Sequence, residues 1–295
     1  MDMTQNKCCR HGASLRRRRR RRRKILRSII FSCSIIAVAV FVAVGIRMIT
    51  SGDGRTNRYD VEAGNNTYDN AVIENSKISE KNKIQNNQSM LDDIMNSTQY
   101  PKQLKDLALK NEEALEFVFD YPAEHVKENT IDLTEEASMD SVPLFVQWDK
   151  RWGYEKYSGN FFAASGCGPT TLSMVVVYLT HNRDASPIAV AKYSKEAGYS
   201  VDGSGSSWTL ISEGCMHYGV KAKAVALDES RMKAELDEGH PIVVNVGPGD
   251  FTDTGHFMVI TGYDDEGFSI NDPNSIETVS YTHLRGHETL MNLVC

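Results

Sequence analysis

The residue with the clearest capacity for chemistry is Cys167, which lies in the segment ASGCGPTTLSM (163–173). Gly166 and Gly168 flank it, and a proline just after it is typical of the first turn of a helix. A thiol at a helix N-terminus lies near the positive end of the helix dipole, which lowers its pKa and favours the reactive thiolate. A free cysteine is also a common core residue. Cys167 alone therefore supports either a nucleophile or a buried structural thiol.

Two further residues could turn this thiol into a nucleophile. His256, in DTGHFMVITGYD, precedes a strongly apolar stretch and could act as a general base. Asp272, in SINDPN, follows the next apolar stretch and could bind the second ring nitrogen of that histidine. Each residue has an ordinary alternative, which is a structural histidine for the first and an Asx turn capping a strand for the second.

The position of Asp272 depends on how the two apolar stretches pair as strands. If Tyr263 pairs with Phe268, Asp272 lies on the opposite face of the sheet from His256, because side chains alternate along a strand. A three-residue loop or a bulge that pairs Tyr263 with Gly267 moves Asp272 to the face of His256. We therefore predict this second arrangement, with Gly267 in the left-handed conformation.

Acyl transfer also needs hydrogen-bond donors for the oxyanion that forms on the attacked carbonyl. The backbone N–H of Cys167 is one candidate, and the side chain of Gln147 in VPLFVQWDKRW is another. An ordinary surface glutamine is the alternative for Gln147. The histidines at 181, 217, 240 and 256 show no paired metal-ligand spacing, so we expect neither a metal nor a cofactor.

These residues belong to a segment in which helical patterns come first and strand patterns follow. An order of this kind favours an α+β fold, with N-terminal helices packed on an antiparallel sheet. The predicted helices are a helical prelude over 91–140 interrupted at Pro101, then 169–179, 187–198, 207–218 and 228–238. The predicted strands cover 220–227, 241–246, 256–263 and 267–272.

Five segments together resemble the bacterial C39-like peptidase family of papain-type cysteine peptidases. They are VPLFVQWDKRWGYEKY, SGCGPTTLSM, GYSVDGSGSSW, PGDFTDTGHFMVITGYD and INDPNS. The resemblance runs from about residue 91 to about residue 275. It implies a papain-like domain over 141–278, with Cys167 as nucleophile, His256 as general base, Asp272 as its orienting partner and Gln147 in the oxyanion hole.

The N-terminal region differs sharply from this domain in charge. Residues 1–50 carry 13 of the 33 basic residues and one of the 39 acidic ones, whereas the remainder is strongly acidic and would repel nucleic acid. We expect a basic cytoplasmic segment (1–27) and then an uncharged stretch (28–46) long enough to anchor the chain in the membrane. The arginines before it predict a cytoplasmic N-terminus and an exported domain. A cleaved signal peptide is the alternative.

The segments on either side of the predicted helices and strands also have distinctive sequences. Residues 47–90 are rich in Asn, Ser, Lys and acidic residues, which predicts a flexible polar stalk. Residues 279–295, VSYTHLRGHETLMNLVC, resemble the translation of a sequencing-transposon adapter, and ordinary divergence is the alternative. If the resemblance holds, the tail is artefactual, the chain is truncated at its C-terminus, and the last strand of the sheet has an unpaired edge.

The sequence therefore favours a membrane-anchored, outward-facing thiol peptidase that needs no cofactor. Its substrate could be an unstructured peptide or a stem peptide of the cell wall, and the same residues could serve an amidase. The non-enzymatic alternative is a papain-like binding domain in which the triad is silent. Nothing in the sequence gives the oligomeric state.

Overall fold

A computed structural model describes residues 66–247, 255–265, 267–276, 279–281 and 291–294. The predicted cytoplasmic segment, the predicted anchor and the stalk residues 47–65 lie outside the described residues. Within these described ranges, no helix is both long enough and apolar enough to cross a membrane. The account below concerns the unit Asn70–Cys295.

The helical prelude folds as a chain of short helices around its own small core. Ile94, Leu104 and Phe117 are almost fully buried there, and they pack against Phe161 and Ala163 just before the candidate nucleophile. The elements are α1 (Asn66–Asn96), α2 (Lys102–Lys110), a 3₁₀ turn (Glu112–Ala114), α3 (Leu115–Phe119) and α4 (Tyr121–Glu124). Helix α1 begins inside the segment predicted to be a flexible stalk, so residues 66–90 are helical instead.

The next part of the chain surrounds one strongly apolar helix, α6. Its residues Leu172 and 174–177 are all fully buried, which explains why a helix with so little polar surface lies at the centre of the main core. The elements are a 3₁₀ turn (Glu136–Ser138), β1 (Lys156–Tyr157), β2 (Asn160–Phe161), α5 (Phe162–Ser165), α6 (Cys167–Thr180), α7 (Pro187–Glu196), β3 (Ser200–Val201) and β4 (Gly205–Ser206).

Two helix predictions in this part had different outcomes. The helix predicted over 187–198 forms as α7, and Ser186 caps it, since its hydroxyl accepts the N–H of Ala189 at 3.3 Å. The helix predicted over 207–218 divides into α8 (Thr209–Ser212) and a 3₁₀ helix (Gly214–Tyr218). Glu213, with φ of −124°, leaves the helical conformation beside a glycine, a residue that disfavours helix.

The sheet is antiparallel and apolar on both faces. Phe257 and Val259 belong to the core of α6, whereas Met258 and Ile260 pack with Met232 of α9. Its elements are β5 (Lys223–Ala224), α9 (Glu229–Asp237), β6 (Ile242–Val246), β7 (His256–Tyr263), β8 (Phe268–Asn271), β9 (Val279–Tyr281) and β10 (Met291–Val294). Their order across the sheet is β5-β10-β6-β7-β8-β9. Helices around a sheet of this kind confirm the α+β class.

Two strand expectations differ from the structure. The strand predicted over 220–227 is reduced to the two residues of β5, which pair with β10 alone. The edge of β8, expected to be unpaired, is covered by β9 with Phe268 opposite Tyr281. The segment 279–295 thus supplies two strands to the sheet, and the proposed adapter origin of that segment stays a prediction.

The hairpin of β7 and β8 places Asp272 on the predicted face, but its strands pair differently from the prediction. Tyr263 pairs with Phe268, so the predicted pairing of Tyr263 with Gly267 is wrong. Gly267 has a positive φ of 145°, in the range that favours glycine, and its N–H donates to the carboxylate of Asp264 at 3.0 Å. The connection between the strands is residues 264–267, so it has an even number of residues and not the odd number that we predicted.

A bulge at Thr261 then changes the register within the strands. Gly262 lies opposite Ser269, but on the other side of Thr261 the pairs are Ile260 with Ile270 and Val259 with Asn271. The Thr261 hydroxyl donates to the carbonyl oxygen of Ser269 at 3.3 Å. One extra residue in β7 moves the following residue of β8, Asp272, to the face that carries His256. The predicted face is therefore correct although the predicted pairing is not.

Candidate active site

Cys167 is the first residue of α6 and is only partly buried. The two glycines beside it are required for close packing and not for an unusual backbone. Gly166 has a φ of −87°, which any residue adopts, but a Cβ there would lie 2.6 Å from the buried ring of Phe162. A Cβ on Gly168 would lie 2.7 Å from the side chain of Ser206 in β4. The glycines thus let α5 and β4 pack tightly against the helix start that presents the thiol.

His256 and Asp272 form a short hydrogen bond at the other side of the site. Nε2 of His256 lies 2.6 Å from Oδ1 of Asp272, and the two side chains are only 9% and 13% exposed. The same carboxylate oxygen accepts the N–H of Asn274 at 2.7 Å, which is an Asx turn. The two roles considered for Asp272 are therefore compatible, because one oxygen serves both.

The thiol of Cys167 lies close enough to the imidazole of His256 for each group to shift the pKa of the other, so the three side chains form one row. Because Asp272 occupies Nε2, the ring nitrogen available to the thiol is Nδ1. The structure thus brings together the three residues that the sequence placed far apart in the chain.

The electrostatics of this row favour a charged pair. Burial raises the pKa of the Cys167 thiol. The His256 side chain and the N–H groups of Phe257 and Gly168 lower this pKa by more than burial raises it, so the net pKa lies below its usual value. Burial lowers the pKa of His256, whereas the Asp272 carboxylate and the Cys167 thiol outweigh it and raise the pKa well above its usual value. Thiolate and imidazolium therefore stabilise one another in this site.

Gln147 is buried between the two halves of the site, so the alternative of a surface glutamine is wrong. Its backbone N–H donates to the carbonyl of Pro273 at 2.7 Å, and its side-chain Nε2 donates to the carbonyl of Ala163 at 2.8 Å. Oε1 has no hydrogen-bond partner among the described residues. Gln147 thus connects the segment after Asp272 with the segment before Cys167, and its function as an oxyanion donor stays a prediction.

Sequence reasoning missed the contacts that surround this row. The N–H of Phe257 acts on the thiol, and the ring of Phe257 stacks on Trp208 with centroids 5.7 Å apart. Neither contact has a signal in the sequence, because the residues are ordinary core types brought together by the sheet. Cys215, the other cysteine of this domain among the described residues, is fully buried.

A cluster of possible metal ligands lies at the end of α9. Among the residues that the structure describes, Glu235, Glu238 and His240 have ligand atoms within 4.8 Å of one another. Glu235 is already paired with Lys223 at 3.0 Å. None of these residues belongs to the Cys167 row.

Comparison with known proteins gives a family match and structural likenesses. Residues 139–289 match the Peptidase_C39 like family. A crystal structure described as a C39-like peptidase from Bacillus anthracis has 15% sequence identity and a TM-score of 0.37, over 53% of this chain and 96% of that chain. The comparison with curated protein sequences gave no significant match. The family match spans Cys167, His256 and Asp272 and begins after the helices of the prelude.

Proposed function

The chain belongs to the Peptidase_C39 like family, and we propose that it is a papain-like cysteine peptidase in which Cys167 is the nucleophile, His256 the general base and Asp272 the orienting residue. The observation that carries this proposal is the row of three side chains in which Asp272 is hydrogen bonded to His256 and His256 lies beside a thiol at a helix start. A thiolate is the reactive form of cysteine, and the surroundings of Cys167 favour it. A silent binding domain would not need this arrangement.

The proposed reaction has two stages. The Cys167 sulfur attacks the carbonyl carbon of the scissile amide, and the C–S bond forms as the carbonyl oxygen becomes an oxyanion. The N–H of Cys167 and the amide of Gln147 are the proposed donors to that oxyanion. The imidazolium of His256 gives its proton to the leaving nitrogen, and the C–N bond breaks. Water then hydrolyses the thioester, with His256 taking the proton from the water.

We further propose that this domain faces the outside of the cell on a membrane anchor. The support is the sequence of residues 1–46, where a strongly basic segment precedes nineteen uncharged residues. Cleavage of the same stretch as a signal peptide would also export the domain. A stem peptide of the cell wall is the second candidate substrate, because the proposed topology would place the site beside it.

The first test measures how reactive the Cys167 thiol is. The full chain, in a mild detergent, is alkylated over a range of pH, and peptide mass spectrometry reads Cys167 with Cys215 as the internal reference. We expect Cys167 to react about a hundredfold faster than Cys215 at about pH 6, and the His256→Ala variant to lose that advantage. Equal rates for the two thiols in the folded wild type would contradict the proposal.

The second test concerns the substrate. The same protein is incubated with an unstructured protein such as casein and with purified peptidoglycan, and new amino termini are quantified. The Cys167→Ala variant is the control for contaminating peptidases. Cleavage of peptidoglycan alone would favour the cell-wall substrate, and cleavage of casein alone would favour a general peptidase.

A further inference from the structure

The helical prelude is hydrogen bonded to the turn that follows Asp272. Nδ2 of Asn111 donates to the carbonyl oxygen of Asn274 at 2.8 Å and to its side-chain oxygen at 3.0 Å. The two carboxylate oxygens of Glu113 accept the hydroxyl of Ser275 at 2.8 Å and the N–H of Ile276 at 2.6 Å. Two prelude residues therefore hold a turn that is more than 150 residues away in the sequence.

The held turn is joined directly to the catalytic carboxylate. The N–H of Asn274 donates to Oδ1 of Asp272 at 2.7 Å, and that oxygen also binds His256. A displacement of Asn274 would move this shared oxygen. The contacts of Asn111 are thus two hydrogen bonds away from the imidazole.

Asn111 is itself fixed in the orientation that this contact requires. Its Oδ1 accepts the N–H of Glu113 at 2.9 Å, which caps the 3₁₀ turn and leaves Nδ2 to face Asn274. Asn111 is 9% exposed, and Leu107 and Leu115 on either side of it belong to the buried core of the prelude. The donor is therefore mounted on a packed element and not on a mobile side chain.

We infer that Asn111 and Glu113 are positioning residues for Asp272, so that the helical prelude forms part of the active site although it lies outside residues 139–289 that match the family. The inference rests on the proposed function. The 272–276 turn lies beyond the end of β8, and the hydrogen bonds from the prelude add to those that Gln147 and Trp148 donate to the same turn. Small displacements of catalytic groups lower rates strongly, so these bonds should influence the chemistry.

The test uses variants that remove the contacts without removing the prelude. Asn111→Ser keeps an oxygen that can cap the 3₁₀ turn but is too short to reach Asn274. Glu113→Ala removes both acceptors, and Glu113→Gln keeps one acceptor oxygen. The matched control is Glu112→Ala, because this neighbouring carboxylate accepts from Asn87 at 2.8 Å and has no bond to the turn.

The readout is the pH profile of Cys167 alkylation in the full chain, with Cys215 as a reporter of unfolding. In the double variant Asn111→Ser and Glu113→Ala, we expect the rate at about pH 6 to fall about tenfold, with the profile displaced to higher pH and the alkaline rate unchanged. Glu113→Gln should be intermediate, and Glu112→Ala should stay within about twofold of the wild type. Cys215 should react no faster in any variant than in the wild type at the same pH.

Three other outcomes would overturn the inference, and they can be told apart. A double variant with the wild-type profile would refute the positioning function while the proposed peptidase function stands. An equal fall in Glu112→Ala, or a rise in Cys215 alkylation, would mean that the prelude contributes only general stability. A wild-type Cys167 no more reactive than Cys215 would refute the proposed function, and the inference that rests on it would be refuted as well.

Discussion

Two cysteines of the same domain lie in surroundings that give them opposite properties. Cys215 lies in a 3₁₀ helix and is fully buried, and burial raises the pKa of its thiol even though backbone N–H groups oppose that effect. Burial also raises the pKa of Cys167, but a histidine that is held by a carboxylate reverses the result. Burial alone therefore makes a cysteine inert, and a charged partner at a helix start makes it reactive.

This comparison also explains why the flanking sequence matters. Cys167 lies where tight packing of Phe162 and Ser206 against glycines fixes the first residues of α6. Cys215 lies inside a short helix whose neighbours are apolar. The difference between the two thiols is made by their partners and by their place in a helix, since the side chains are identical.

The largest effect on turnover should come from removing the Cys167 thiol, with removal of the Cys215 thiol as the comparison. Cys167→Ala should lower peptide turnover by on the order of 10⁴-fold, because no other group can form the acyl-enzyme. Cys215→Ala should leave turnover within about twofold of the wild type. The measurement is kcat/KM on a cleaved peptide with both variants shown to be folded by circular dichroism. Equal losses of kcat/KM in the two variants would contradict the proposal that Cys167 alone is the nucleophile.

The next effect should come from the carboxylate that orients the histidine. Asp272→Ala removes the acceptor for Nε2, and we expect kcat to fall by on the order of a hundredfold with little change in KM. Asp272→Asn keeps an acceptor oxygen at the same place and should lose less. Equal losses in the Asn and Ala variants, which both lack the charge, would indicate that the charge of Asp272 matters and that its acceptor geometry does not.

The pH profile of turnover should show the pair as a unit. Because the pKa of Cys167 is lowered and that of His256 is raised, the thiolate–imidazolium form exists between these two values. Activity should therefore rise at acidic pH as Cys167 loses its proton, remain level through neutrality, and fall at alkaline pH as His256 loses its own. Cys215, whose pKa is raised, should be alkylated only under alkaline conditions. A turnover that rises only near the usual pKa of a thiol would contradict the pairing.

The smallest effect concerns stability and reverses the order of the two cysteines. Cys215→Ala leaves a cavity in the main core, and the free energy of unfolding should fall by about 1–2 kcal/mol. Cys167 is only partly buried, so Cys167→Ala should cost less than about 1 kcal/mol. Urea denaturation of both variants measures this. A larger loss for Cys167→Ala would mean that the reactive thiol is also an important core residue.

Sequence patterns predicted the elements that local chemistry determines. The helical pattern over 187–198 predicted α7, and the apolar run after His256 predicted β7 with its correct bounds. The flanking glycines and proline predicted the helix start at Cys167. These signals work because capping, backbone restriction and hydrophobic alternation involve residues that are close in the chain.

The remaining features depend on contacts between distant residues. The helix over 66–90 formed where a polar composition predicted a flexible stalk, and β5 is short because only two of its residues find a partner strand. The hydrogen bonds from Asn111 to Asn274 join residues 163 positions apart, and nothing in the local sequence of either residue predicts them. The place of the bulge at Thr261 could not be predicted for the same reason.

That bulge makes the composition of the active site a question of odd and even numbers. With one residue of β7 left unpaired, at Thr261, Val259 lies opposite Asn271, and the next residue, Asp272, falls on the side of His256. If Thr261 paired regularly with Ile270, Asp272 would lie opposite Val259, and the carboxylate would be separated from the imidazole. Two unpaired residues would have the same effect, so in related chains with this hairpin an odd number of unpaired residues in β7 is what keeps the two groups together.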